Sequence, residues 1–126
     1  MSETKFFICK HCGNLIGMIF NSGAPITCCG DHMTLLEANT VDASHEKHIP
    51  VVHIDDNKVV VNIGSVDHPM TEAHYIGWIY LQTESGGQRK NLIPGDAPNV
   101  EFCLDNEKSI AVFAYCNLHG LWKKEI

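Results

Sequence analysis

The chain has 126 residues, 44% of them hydrophobic, enough for one domain or for one domain with a small appendage. A formal charge of −6, with nine Lys and Arg scattered rather than gathered into a stripe, excludes nucleic acid as a partner. No stretch approaches the ~20 apolar residues of a membrane span, and the start, Met1-Ser2-Glu3-Thr4-Lys5, opens no long secretory segment, so a cytoplasmic protein without membrane contact is expected.

Six cysteines in a compartment that keeps thiols reduced read as metal ligands rather than as a disulfide framework. Four of them fall in residues 1–36. Cys9 and Cys12 are separated by two residues and followed by Gly13, the spacing of a knuckle whose turn points both thiolates one way. Leu15 to Phe20 reads as a strand and Asn21 to Pro25 as a turn, which returns the chain to the adjacent pair Cys28-Cys29. Neighbouring side chains of an extended chain face opposite ways, so Cys28 and Cys29 can share one ion only where the backbone is locally distorted. So short a segment needs a metal staple in place of a core. Tetrahedral thiolate sites suit zinc and iron alike. The segment resembles desulforedoxin in its Cys9-x-x-Cys12 and Cys28-Cys29 pattern and in its length, and the resemblance implies a rubredoxin-type iron held by four cysteines.

Glu37 to Ser44 reads as a connection. Strands are then expected at Ile49–Ile54, Lys58–Ile63, Tyr75–Thr83, Arg89–Ile93, Val100–Leu104, Ile110–Tyr115 and Leu121–Ile126, separated by turns at Asp55-Asp56-Asn57, Glu84 to Gly87, Pro94 to Pro98 and Asp105 to Lys108. Seven short strands without a convincing helix suggest an all-β, immunoglobulin-like sandwich or related barrel. Cys103, inside an apolar strand, reads as a core residue.

Eight histidines are many for this length. His48, His68 and His74 lie where strands begin or end, and Cys116 and His119 are placed on the turn between the last two strands, with Gly120 behind them. Four imidazoles and one thiolate form a borderline-soft set of five donors that suits iron and leaves one octahedral position open, the mark of a catalytic rather than a structural metal. His11, His32, His45 and His53 read as surface residues or as supports behind the ligands.

Glu46-Lys47-His48-Ile49-Pro50, His68-Pro69-Met70, His74-Tyr75-Ile76 and Cys116 to Trp122 resemble, in order and spacing, the motifs of desulfoferrodoxin, the two-iron form of superoxide reductase. The resemblance covers almost the whole chain. It implies His48, His68, His74 and His119 as equatorial ligands and Cys116 as the axial one, with two iron ions per chain: Fe3+ in the four-cysteine site and Fe2+/Fe3+ in the other. It implies one-electron reduction of superoxide to hydrogen peroxide, with Glu46 as a carboxylate able to reach the sixth position of the ferric iron. It also implies a homodimer, and a rubredoxin or a flavin-dependent reductase as electron donor. Lys47, beside His48, would add positive potential at the mouth of the site. The domains expected are a desulforedoxin-like, four-cysteine iron domain at 1–36, a linker at 37–44 and a catalytic β-sandwich at 45–126. A pure electron carrier and a structural two-zinc module are the rival readings.

Overall fold

β-Strands dominate both compact units into which the chain divides, one ending at Glu37 and the other running from Ala38 to Ile126. The structure is a computed structural model, and it describes residues 4–126. In the first unit β1 (Lys5–Ile8) pairs antiparallel with β2 (Leu15–Met18), while β3 (Thr27–Cys28) and β4 (Asp31–His32) form a minimal hairpin and β5 (Thr34–Leu35) adds to the free side of β1. β2 stops short of the expected Phe20, and Ile19 and Phe20 lie exposed. Among the described residues, Phe6 and Cys9 are the buried hydrophobics of this unit. Two side chains cannot offset the entropy of ordering so many residues, so the cysteine cluster must supply the rest.

The second unit opens with one helical turn that the strand pattern does not foreshadow, α1 (His45–His48). Four residues are too few to leave a periodic signal. The turn is closed by Ile49 N–H donating to His45 O at 2.9 Å, and it ends there because Pro50 forces Ile49 into an extended conformation (ψ 124°). The strands follow as β6 (Pro50–Asp55), β7 (Lys58–Ile63), β8 (Ile76–Thr83), β9 (Gly86–Asn91), β10 (Asn99–Cys103), β11 (Ser109–Cys116) and β12 (Gly120–Glu125). They make two antiparallel sheets, one ordered β10-β7-β6 and the other β12-β11-β8-β9. Alternate residues of each meet in one core: Val59, Val61 and Ile63 of β7 and Phe102 of β10 against Ile76, Ile79 and Leu81 of β8 and Val112, Ala114 and Cys116 of β11. The all-β sandwich expected from the strand count is therefore present, and each of its seven strands overlaps an expected one.

Two expectations are corrected. Cys103 is exposed, not a core residue. Phe102 and Leu104 occupy the inward positions of that stretch, so strand alternation sends Glu101 and Cys103 to solvent. Cys116 is the last residue of β11 rather than a turn residue, paired with Gly120 across the hairpin. Next to it the β11–β8 ladder slips: Tyr115 pairs with Trp78 and Cys116 with Ile76, leaving Gly77 as an extra residue. Such a bulge keeps both Cys116 and Ile76 facing inward.

The sheet edges are covered locally. Gln88 donates from Nε2 to Cys103 O at 2.7 Å and Lys90 from Nζ to Glu101 O at 2.5 Å, tying β9 to β10. On the outer side of β12, Asn39 donates its main-chain N–H to Leu121 O (3.0 Å), donates from Nδ2 to Lys123 O (3.1 Å) and accepts Lys123 N–H at Oδ1 (2.9 Å). One side-chain amide thus stands in for a strand and satisfies an open edge.

Candidate metal centres

The first cluster comprises Cys9, Cys12, Cys28 and Cys29, whose sulfurs all lie within 4.8 Å of one another. The knuckle is closed by Cys9 N–H to Asn14 O (2.8 Å) and Gly13 N–H to Cys9 O (2.9 Å). The distortion required of adjacent ligands is present: Cys29 has φ +54° and Gly30 φ +74°, so two successive left-handed residues reverse the chain and bring neighbouring side chains to one side. Cys28 Sγ is then 3.9 Å from Cys29 Sγ and 3.7 Å from Cys12 Sγ. Sulfurs about 2.3 Å from a shared tetrahedral ion would be about 3.8 Å apart. Asn14 donates to two of them, from N to Cys12 Sγ (3.5 Å) and from Nδ2 to Cys28 Sγ (3.6 Å), a role its sequence position did not signal. Main-chain N–H groups of Cys12 and His11 hold the Cys9 thiol at about 6, while hydrogen bonding with Cys12 and Cys28 pushes Cys29 up to about 12. Four sulfurs this close share protons until a cation replaces them.

The second cluster is built from four separate segments. His48 ends α1, His68 follows the turn after β7, His74 precedes β8, and Cys116 and His119 flank the hairpin between β11 and β12. The donor atoms of His48, His68, His74 and Cys116 all lie within 4.8 Å of one another. His119 stands beside them, its Nδ1 3.1 Å from His48 Nε2 and 3.9 Å from Cys116 Sγ. The four imidazoles close a circle in the order 48, 68, 74, 119. Adjacent ring centroids are 4.7, 4.5, 5.1 and 4.9 Å apart, each pair edge to face, and His48 and His74 lie 6.2 Å apart across the circle.

The protonation of these rings follows from their outer hydrogen bonds. His48 Nδ1 lies 2.6 Å from Ser44 O and His68 Nδ1 2.7 Å from Pro69 O. A carbonyl only accepts, so each Nδ1 carries the proton and each Nε2 of the neutral ring is a bare lone pair. Burial keeps the rings neutral, lowering His48 and His74 and bringing His68 down to about 4. Two lone pairs then face each other, His48 Nε2 and His68 Nε2, at 3.2 Å. Nitrogens about 2.1 Å from one ion and at right angles would be about 3.0 Å apart. His74 Nε2 is buried with no partner, an atom that also calls for a cation. Burial pushes the Cys116 thiol up, opposed by the main-chain N–H groups of His119 and Leu118.

Around this circle the structure adds Trp122, stacked on His48 at 4.7 Å and 27° and in edge contact with His45, contacts that its place at the end of the Cys116 to Trp122 motif did not specify. Gly64 lies beneath α1, where a Cβ would meet Glu46 O at 2.5 Å and Ile49 O at 2.9 Å, so only glycine lets the turn settle there. Glu46 O accepts from Val66 N–H (3.0 Å) and Ser65 Oγ (3.3 Å). The side chains of Glu46 and Lys47 are exposed, and the Lys47 charge contributes to lowering His74. His11 pairs with Asp31 at 3.3 Å at the surface, and His32 and His53 are exposed; none of the three belongs to either donor set.

The family model for desulfoferrodoxin matches residues 40–125, the span that holds the four-histidine circle. The chain is 43% identical to a desulfoferrodoxin of Nitratidesulfovibrio vulgaris over 98% of both chains, and 34% identical to a superoxide reductase of Pyrococcus horikoshii that covers 68% of this chain and 90% of that one. The crystal structure of the superoxide reductase from Treponema pallidum superposes with a TM-score of 0.83 at 39% identity, covering 98% of this chain and all of the other. With a donor set and a fold of this kind, and with matches that run nearly end to end, the chain belongs to the desulfoferrodoxin family.

Proposed function

We propose that the protein is a superoxide reductase, which adds one electron and two protons to superoxide and releases hydrogen peroxide. The observation that carries this reading is the pair of bare, buried imidazole lone pairs at 3.2 Å, inside a circle of four histidines with Cys116 alongside. His48, His68, His74, His119 and Cys116 would hold an iron, which would supply one-electron chemistry toward a small anion. Cys9, Cys12, Cys28 and Cys29 would hold a second iron, which would serve for electron relay or as the staple of its domain. The domain of this second iron occupies residues 1–36 and the catalytic sandwich 45–126, joined by 37–44.

The chain's own groups perform the remaining tasks. Burial fixes the rings in their neutral, ligating form, and the carbonyls of Ser44 and Pro69 set the planes of His48 and His68. Cys116, buried at the end of β11, offers its sulfur where water cannot compete for it. Lys47, exposed near His74, draws the anion inward although the protein as a whole is acidic, and it orders the water from which protons arrive. Glu46, its main chain pinned by Val66 and Ser65, offers an exposed carboxylate at the same turn. A rubredoxin or a flavin-dependent reductase restores the ferrous state, and the protein works as a cytoplasmic homodimer; among the described residues, no helix is long and apolar enough to cross a membrane.

The test combines metal analysis, visible spectra of oxidised and reduced protein, and an azide titration. Two irons per chain, with an azide-induced change confined to the histidine-ligated site, are expected. An azide-silent spectrum would instead favour a pure electron carrier, and colourless protein with two zincs a structural module.

A further inference from the structure

Among the histidines of the circle, His48 and His68 are oriented by their own rings, each through Nδ1–H to a main-chain carbonyl. His74 is not. Its ring makes no hydrogen bond among the described residues, and Nε2 is buried without a partner. What fixes it acts on the backbone to either side. Thr71 closes a small loop, with Thr71 N–H to His74 O at 2.9 Å and His74 N–H to Thr71 Oγ1 at 3.1 Å. Asn117 grips both flanking residues: Oδ1 accepts Tyr75 N–H (2.9 Å), Nδ2 donates to Ala73 O (3.0 Å), and its own main-chain N–H donates to Tyr75 O (3.2 Å). A side-chain amide has the donor and acceptor of one peptide unit, so these bonds attach the His74 segment as a strand partner would. Asn117 also stands in the turn between Cys116 and His119.

We propose that Asn117 is the positioning residue of His74, tying the segment that carries this ligand to the turn that carries Cys116 and His119. Three of the five donors are thereby referenced to one amide. This rests on the ligand assignment proposed above and goes further by naming what carries the contact between β8 and β11 past their last pair, Ile76 with Cys116, to the ligands His74 and His119 beyond it. Outer groups that orient ligands are worth about 10- to 100-fold in metal affinity.

The test compares iron-loaded, reduced wild-type protein with Asn117→Ala, Asn117→Asp and Ile54→Ala, each challenged with a ferrous chelator, the absorption of the four-cysteine iron serving as internal reference. Asn117→Ala should lose the catalytic iron about 10- to 100-fold faster. Asn117→Asp, which keeps the acceptor for Tyr75 but sets a carboxylate against Ala73 O, should fall between it and wild type. Ile54→Ala, an exposed residue of β6 outside the ligand-bearing turns, should match wild type. The ferric absorption of the catalytic site should shift in the Asn117 variants while the bands of the four-cysteine iron stay constant. Wild-type release from Asn117→Ala, or equal acceleration by Ile54→Ala, would overturn the proposal. Wild-type protein that takes up no iron outside the four-cysteine site would instead sink the ligand assignment, and the role of Asn117 with it.

Discussion

Lys47 is a residue whose worth can be read only in a rate. It is exposed and adjacent to a buried ligand, so replacing it costs little stability, but the positive potential near His74 disappears. Lys47→Ile should slow the second-order reaction with superoxide and flatten its dependence on ionic strength, measured by pulse radiolysis; an unchanged salt slope would remove the steering role. His68 makes a second residue-scale test. Its folded value of about 4 lies below the ordinary 6.5, so the unfolded chain binds a proton that the folded one refuses. In iron-free protein this stability is complete above about pH 6.5 and is lost as pH falls toward about 4. Unfolding midpoints of the iron-free protein should therefore drop from pH 7 to pH 5, and His68→Gln should weaken that trend. At this scale the donors were legible, because thiolate and imidazole are the soft ligands among side chains and their spacing is chemically narrow. Asn14, Asn117 and Trp122 were not, because a common amide or an indole becomes a support only through neighbours far along the chain.

At the scale of elements, β10 shows what alternation decides and what hydropathy hides. Phe102 is fully buried and Cys103 exposed, although both sit in one apolar run. Phe102→Ala should cost about 3–5 kcal/mol in denaturant unfolding; Cys103→Ala should change stability by about 0.5 kcal/mol or less. A small loss from Phe102→Ala beside a larger one from Cys103→Ala would mean that the strand faces the other way. The Asn39 clasp on β12 is the second case. Its two side-chain hydrogen bonds suggest that Asn39→Ala destabilises the fold by about 1–3 kcal/mol, visible as a lower midpoint. The strands were legible from period-two patterning over five or more residues. The single turn of α1 was not, since it depends on Pro50 behind it and on the glycine at 64 beneath it.

For the whole molecule, the two units differ in what holds them. The sandwich has a continuous apolar core, whereas the described part of the first unit buries little beyond Phe6 and Cys9. Stripping metal under reducing conditions should therefore collapse the amide NMR signals of residues 4–36 while those of β7, β8 and β11 persist; dispersion retained in the first group would show that it folds without a staple. The order in which ligands occur along the chain separates the units in time as well. The four thiols of the first cluster have all emerged by Cys29, so an ion can be captured while the ribosome is still at work. The other set spans from His48 to His119 and stays incomplete until His119 itself has been added. During synthesis, then, a chain can carry its first iron with no means of acting on superoxide, and it becomes an oxidoreductase only when β12 folds back behind His119.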